Sequence, residues 1–182
     1  GEAGVKLVGS MSPEELAGWI CDQLHEAGIE VTLTGGACVS IWTNGAYVSR
    51  DLDFVEHGIH PRKSIRKVMH ALGFEEEHRY FVHPGTDFVV EFPSGPLAVG
   101  DSPVRSVAER TTSQGTLRLL TPTDCVKDRL AAFFHWRDRE ALQQAMLVAK
   151  SQPVDLKDIR SWARSEKKGI EYEIFVKALG GA

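Results

Sequence analysis

Thr34-Gly35-Gly36-Ala37-Cys38-Val39-Ser40-Ile41, followed by Tyr47-Val48-Ser49-Arg50-Asp51-Leu52-Asp53-Phe54, is the stretch whose reading decides the fold of this 182-residue chain. Residues 29–34 alternate and are rich in β-branched side chains, which predicts a strand. Gly35-Gly36 breaks it, and residues 37–42 suit a short helix ahead of the Asn44-Gly45 turn. Residues 51–56 read as a second strand. Glycines at a strand-to-helix junction let backbone N–H groups approach a phosphate, and the helix N-terminus adds partial positive charge. Asp51 and Asp53 stand at i and i+2 of a strand, so both carboxylates face one side. Adjacent like charges are costly unless a cation neutralises them, and hard oxygen ligands suit Mg²⁺ or Mn²⁺. A phosphate cradle followed by a metal-binding carboxylate pair is a device for phosphoryl or nucleotidyl transfer.

Outward from this stretch the pattern is mixed. Upstream, Ser12-Pro13-Glu14-Glu15 supplies an N-cap, a proline at the first helical position and a capping box. Leu16, Trp19, Ile20 and Leu24 follow at helical spacing, and Gly28 stops the run. Downstream, residues 61–72 return to helical period with Ile65, Val68, Met69 and Leu72 on one face. Strands are expected at residues 79–82 and 87–92, joined as a hairpin by His83-Pro84-Gly85-Thr86. After Pro93-Ser94-Gly95-Pro96 the pattern is poor, and residues 117–120 are expected as a last edge strand. From Thr121-Pro122-Thr123-Asp124 the composition is helical, with breaks near Pro153-Val154-Asp155 and Gly169. The expected class is α/β (α+β): a core of about four strands flanked by helices over residues 1–120, then a helical subdomain over residues 121–182.

The double glycine, fourteen intervening residues and then Asp51-Leu52-Asp53 resemble the signature of the DNA polymerase β-like nucleotidyltransferase superfamily. The likeness is nearest to the small bacterial branch that includes abortive-infection and toxin–antitoxin nucleotidyltransferases. It extends to Asp128-Arg129-Leu130-Ala131-Ala132, in the place of that branch's Asp-Lys-Leu-Ala-like segment. The resemblance implies a mixed sheet flanked by helices, a nucleoside triphosphate (NTP) substrate and Mg²⁺ or Mn²⁺ held by Asp51, Asp53 and a third carboxylate. Glu91 is the choice for that third position, because it lies inside the apolar run Phe88-Val89-Val90-Glu91-Phe92, with Asp87 and Asp101 as alternatives. Its implied role is general base toward the acceptor hydroxyl. Gly35, Gly36 and Ser40 are expected to hold the triphosphate, with Ser49 and Arg50 nearby and Arg129 as a supporting cation. Tyr47 stands where many relatives carry Arg. The acceptor is left open among a tRNA 3′ end, a protein side chain and a small molecule. An antitoxin is the expected protein partner in the toxin–antitoxin setting. A non-catalytic relative, kept for binding or regulation, is the rival.

Composition bounds the rest. Lys and Arg number 21 against 25 Asp and Glu, giving a net charge of −4, which excludes a strongly basic nucleic-acid coat. Cys21, Cys38 and Cys125 lack paired spacing, so neither a disulfide framework nor a structural zinc site is expected, and the setting is expected to be cytoplasmic. No apolar run is long enough to span a bilayer, and residues 1–10 show no leader pattern. Arg62, Lys63, Arg66 and Lys67 form a basic helix face, read as solvated in preference to an RNA landing. That face argues against cationic acceptors such as aminoglycosides, which call for an acidic cleft. His57 and His60 read as loop residues, and Trp19, Trp42, Trp136 and Trp162 as core.

Overall fold

The structure, a computed structural model, describes residues 8–180, so most of residues 1–10, read above for a leader pattern, lie outside the described residues. After a 3₁₀ turn at Val8–Ser10, helix α1 spans Pro13–Glu26. Its capping box forms as the sequence indicates: Glu15 N–H donates to Ser12 Oγ at 3.1 Å and Ser12 N–H to Glu15 Oε1 at 2.9 Å. Strand β1 (Val31–Thr34) passes directly into α2 (Gly35–Trp42), and β2 (Asp51–Glu56) returns antiparallel beside β1. Helix α3 covers Arg62–Ala71.

The sheet is larger than the periodicity predicts. Strands β3 (Glu75–Glu77), β4 (Tyr80–His83), β5 (Thr86–Glu91), β8 (Ala108–Thr112) and β9 (Gly115–Leu119) join β1 and β2 in the order β3-β4-β5-β2-β1-β9-β8. A separate two-stranded hairpin pairs β6 (Ala98–Val99) with β7 (Ser102–Pro103). β3 is three glutamates on an exposed sheet edge, and β8 alternates polar residues, so neither carries an apolar signal. The segment expected as an edge strand is interior: β9 runs parallel to β1 and antiparallel to β8. Its Leu117 and Leu119 are fully buried for that reason.

The last third is helical: α4 (Pro122–Trp136), α5 (Arg139–Ser151), α6 (Leu156–Ser165) and α7 (Gly169–Gly180). The break between α4 and α5 is unmarked by glycine or proline. Arg137 adopts a left-handed φ of 53°, ending α4, and Asp138 caps α5 through Ala141 N–H at 3.0 Å. Trp19 and Trp162 are buried as expected, whereas Trp136 is 83% exposed at the end of α4 and is not core. No helix among the described residues is long and apolar enough to cross a membrane.

Helix α1 lies tight on the β8–β9 turn. A Cβ on Gly18 would stand 2.6 Å from Thr112 Oγ1 and 3.0 Å from the Gly115 carbonyl, backbone that cannot yield cheaply. Gly18→Ala is therefore expected to lower stability by about 1–3 kcal/mol, despite alanine's better helix propensity. A lower urea midpoint at unchanged m-value is the expected readout, and a raised midpoint would refute the contact.

Candidate active site

The pairing of β1, β2 and β5 assembles three acids on one face. Asp53 is opposite Thr34 across the antiparallel pair and opposite Glu91 across the parallel pair. Asp51 lies two residues before Asp53 on the same side and is exposed, while Asp53 and Glu91 are partly buried. Gly35 takes a left-handed φ of +68°, and a Cβ there would sit 2.9 Å from Asp53 Oδ2. A Cβ on Gly36 would stand 3.2 Å from both Ser49 Oγ and the Tyr47 ring. The double glycine thus lets the backbone at the α2 N-terminus close down on the carboxylate and on the loop before β2.

Asp53 is the unusual group. Its Oδ1 is buried without a hydrogen-bond partner. Burial, then the negative charges of Glu91 and Asp51, push its carboxyl up to about 6 from an ordinary value of 3.8; Arg129 opposes the rise. Unsatisfied buried oxygens are rare in folded proteins, and one facing two further carboxylates makes a candidate cation site. A hard divalent ion fits these residues by donor chemistry. Among the described residues, however, no three acidic, His or Cys side chains already converge on one point at ligand distance. Glu91 is instead paired with Arg79 Nε at 3.3 Å, and the Arg79 side chain is mostly exposed.

The other predicted residues divide. Ser49 Oγ accepts from Asp51 N–H at 3.2 Å, a local turn contact. Arg50 lies 3.7 Å from Asp87 and over the Phe88 ring, so its charge is directed to β5. Ser40 is buried and lines a different cleft with Ser12 and Asn44, away from the carboxylates. Of the alternative third acids, Asp87 is 90% exposed, and Asp101 belongs to the β6–β7 turn, where its N–H donates to Glu166 at 2.7 Å. Arg129 reaches the site, but not as a free cation: Asp128 holds it at 2.7 and 3.0 Å and Gln144 at 3.2 Å. The basic face of α3 is partly neutralised, since Arg62 and Arg66 both pair with Glu76, at 3.7 and 2.8 Å. His57 and His60 bond Thr32 and Glu56, at 2.6 and 2.8 Å, and approach no common point with a third ligand.

The sequence matches no known protein family and no curated protein. Two solved structures are similar. One is the solution structure of the antibiotic-resistance factor ANT(2'')-Ia, at a TM-score of 0.54 and 14% identity, covering 93% of this chain and 95% of that one. The other is the crystal structure of ANT(2'')-Ia in complex with adenylyl-2''-tobramycin, at a TM-score of 0.52 and 15% identity, covering 88% and 94%. ANT(2'')-Ia is an aminoglycoside nucleotidyltransferase. The fold is of the nucleotidyltransferase type.

Within this nucleotidyltransferase fold, several side chains were missed by sequence reading. Arg79 and Gln144 carry no local signal, because each meets its partner only across strands or helices. Tyr47 was noted only as a departure, yet its hydroxyl donates to Glu140 Oε1 at 3.1 Å and ties the loop before β2 to α5. Asp128 was quoted beside Arg129 and contributes negative charge toward Asp53.

The raised Asp53 carboxyl sets a pH dependence. The folded state holds this proton up to about pH 6, whereas the unfolded chain releases it near 3.8, so the Asp53 contribution falls as pH rises between those values. In chelator, Asp53→Asn is expected to stabilise the protein at pH 7–8 by on the order of 2–3 kcal/mol. The gain should shrink toward pH 4, and urea unfolding across that range checks it. A variant no more stable than wild type at pH 8 would show that Asp53 is not strained.

Proposed function

We propose that the chain is a metal-dependent nucleotidyltransferase, moving a nucleoside monophosphate from an NTP to a hydroxyl of a small, amine-rich acceptor. The observation that carries the reading is Asp53: a partly buried carboxylate whose Oδ1 has no hydrogen-bond partner, beside Asp51 and Glu91 and closed over by Gly35. A fold similar to ANT(2'')-Ia supports it.

In this reading Asp51 and Asp53 hold Mg²⁺ or Mn²⁺, and Glu91 joins them when Arg79 is displaced. A bound divalent ion supplies charge neutralisation at the α-phosphate. Gly35 and Gly36, at the N-terminus of α2, present backbone N–H groups and the positive end of the helix dipole to the triphosphate. Glu91 accepts the proton of the acceptor hydroxyl. The hydroxyl oxygen bonds to the α-phosphorus, the bond to the β-phosphate oxygen breaks, and pyrophosphate leaves. Arg129, clamped by Asp128 and Gln144, offsets the negative charge at Asp53 and anchors α4 beside it. Helices α4 and α5 stand beside α2 on the helical side of the site, and three free buried thiols suit a reducing, cytoplasmic setting.

Acceptor choice follows the electrostatics. The helix face that argued against a cationic acceptor has Arg62 and Arg66 occupied by Glu76. Asp51 and Asp53, with Glu91 once Arg79 is displaced, leave an acidic strand end that suits ammonium groups. The solved complex of ANT(2'')-Ia with adenylyl-2''-tobramycin favours the same class. The alternative, a non-catalytic binding or regulatory protein, is favoured by one observation: Arg79 occupies Glu91.

Calorimetric titration of each NTP with Mg²⁺ tests the reading, with aminoglycosides, tRNA and a protein extract then offered as acceptors of labelled nucleotide. Metal-dependent binding lost in Asp53→Ala and label on an aminoglycoside are expected. Label on tRNA or protein instead would move the assignment to the toxin–antitoxin setting, and binding with no transfer to the non-catalytic reading. Glu91→Gln should lower transfer by about a hundredfold or more, while NTP affinity stays within a few-fold. Unchanged transfer in that variant removes Glu91 as the base.

A further inference from the structure

We infer that Trp136 is the platform on which the base of the bound nucleotide stacks. The inference rests on the nucleotidyltransferase reading and adds a residue that determines how the nucleotide is held. Of the chain's tryptophans, Trp19 and Trp162 are 8% and 5% exposed, while Trp136 presents 83% of its surface to solvent. A large aromatic side chain left in water at the end of a helix is unusual, and its position gives it a use.

Helix α4 carries the argument. Cys125, in its first turn, packs against Cys38 of α2, the helix that starts at the double glycine. Arg129, one turn later, brings its charge to Asp53. Trp136 is seven residues beyond Arg129, which places it within about 20° of the same face and about 10 Å further along the axis. That offset matches the reach of a nucleoside from its α-phosphate. The stripe that meets α2 and Asp53 therefore ends in an exposed indole.

Two neighbours hold this corner in place. Arg137 closes α4 in a left-handed turn, its N–H bonded to the Phe133 carbonyl at 2.9 Å, so Trp136 ends a fixed helix. Tyr47, whose ring lies beside the Gly36 backbone, reaches Glu140 two residues after that turn, so the α4–α5 corner is tied to the phosphate cradle.

Charge selects the occupant. Arg137 and Arg139 follow the indole in the chain and are exposed, while Asp138 is engaged in capping α5 and Glu140 accepts from Tyr47. A cationic acceptor is disfavoured there and favoured at the Asp51 and Asp53 side. A flat, uncharged base beside an anionic phosphate tail suits an exposed indole on a corner that carries two exposed arginines.

The test compares an NTP with inorganic tripolyphosphate, both with Mg²⁺, in wild type, Trp136→Phe and Trp136→Ala, by calorimetry and tryptophan fluorescence. NTP is expected to quench the exposed, iodide-accessible emission of wild type, and tripolyphosphate to leave it unchanged. Trp136→Ala should weaken NTP binding by about tenfold to a hundredfold, the range that base stacking on an aromatic ring commands, and leave tripolyphosphate affinity unaltered. Trp136→Phe should retain NTP affinity within about threefold, since a second aromatic face serves. Wild-type NTP affinity in Trp136→Ala overturns the platform while leaving nucleotidyl transfer standing. Equal loss of NTP and tripolyphosphate also overturns it, because the residue then supports the phosphate side. A raised KM for the acceptor alone assigns the indole to the other substrate and overturns it as well. Failure of wild type to bind any NTP removes the nucleotidyltransferase reading and this inference together.

Discussion

The partly buried Asp53 carboxylate is the constraint around which the rest is arranged. An ionised oxygen with no partner is costly to enclose, and here two further acids raise the cost. The fold tolerates it because β2 is clamped between β1 and β5, so the backbone cannot relax to expose the side chain. Gly35 completes the enclosure, since any side chain at its left-handed φ would meet Asp53 Oδ2. Strain held at a rigid strand end is how a binding site is prepared before its ligand arrives.

The helical third is attached to this point by short polar contacts as much as by apolar packing. The Leu120 carbonyl, at the junction of β9 and α4, accepts from Trp42 Nε1 at 2.8 Å and from Cys38 Sγ at 3.6 Å. Gln152 Nε2 donates to the Trp42 carbonyl at 2.9 Å, so the end of α5 grips the end of α2. Arg129, buried between Asp128 and Gln144, supplies the positive charge nearest Asp53. A buried guanidinium needs full hydrogen bonding to remain in place, which explains why a residue expected to meet phosphate directly is engaged by the protein.

Charge around the cleft is divided. Acidic side chains gather at the β2 and β5 end, where Arg50 and Arg79 pair with Asp87 and Glu91, and arginines stand exposed at the α4–α5 corner. The basic face of α3, a strong feature in a one-dimensional reading, is weakened by Glu76, a residue of the edge strand that composition concealed. A helix wheel shows which charges share a face; it does not show what a neighbouring strand brings against them. That is why the charge of a helix face has to be read together with the strand packed beside it.

Local chemistry was legible wherever it is written in adjacent residues. The capping box of α1, the strand-to-helix break at Gly35-Gly36, the spacing of Asp51 and Asp53 and the helical character after Thr121 all depend on contacts within a few positions. β3 and β8 were not legible, because polar edge strands are specified by their partners and not by their own hydrophobicity. Nor was the choice of Glu91 over Asp87 decidable from even spacing; the parallel register of β2 and β5 places Glu91 opposite Asp53. The sequence by itself determined the glycine pair, the carboxylate pair and the order of elements, since backbone conformation and side-chain alternation are local properties. Only the tertiary structure decided which acids meet, which cations are already spent and which tryptophan stays exposed, because those depend on pairings between separate elements, from Arg66 with Glu76 to Tyr47 with Glu140, 93 residues apart.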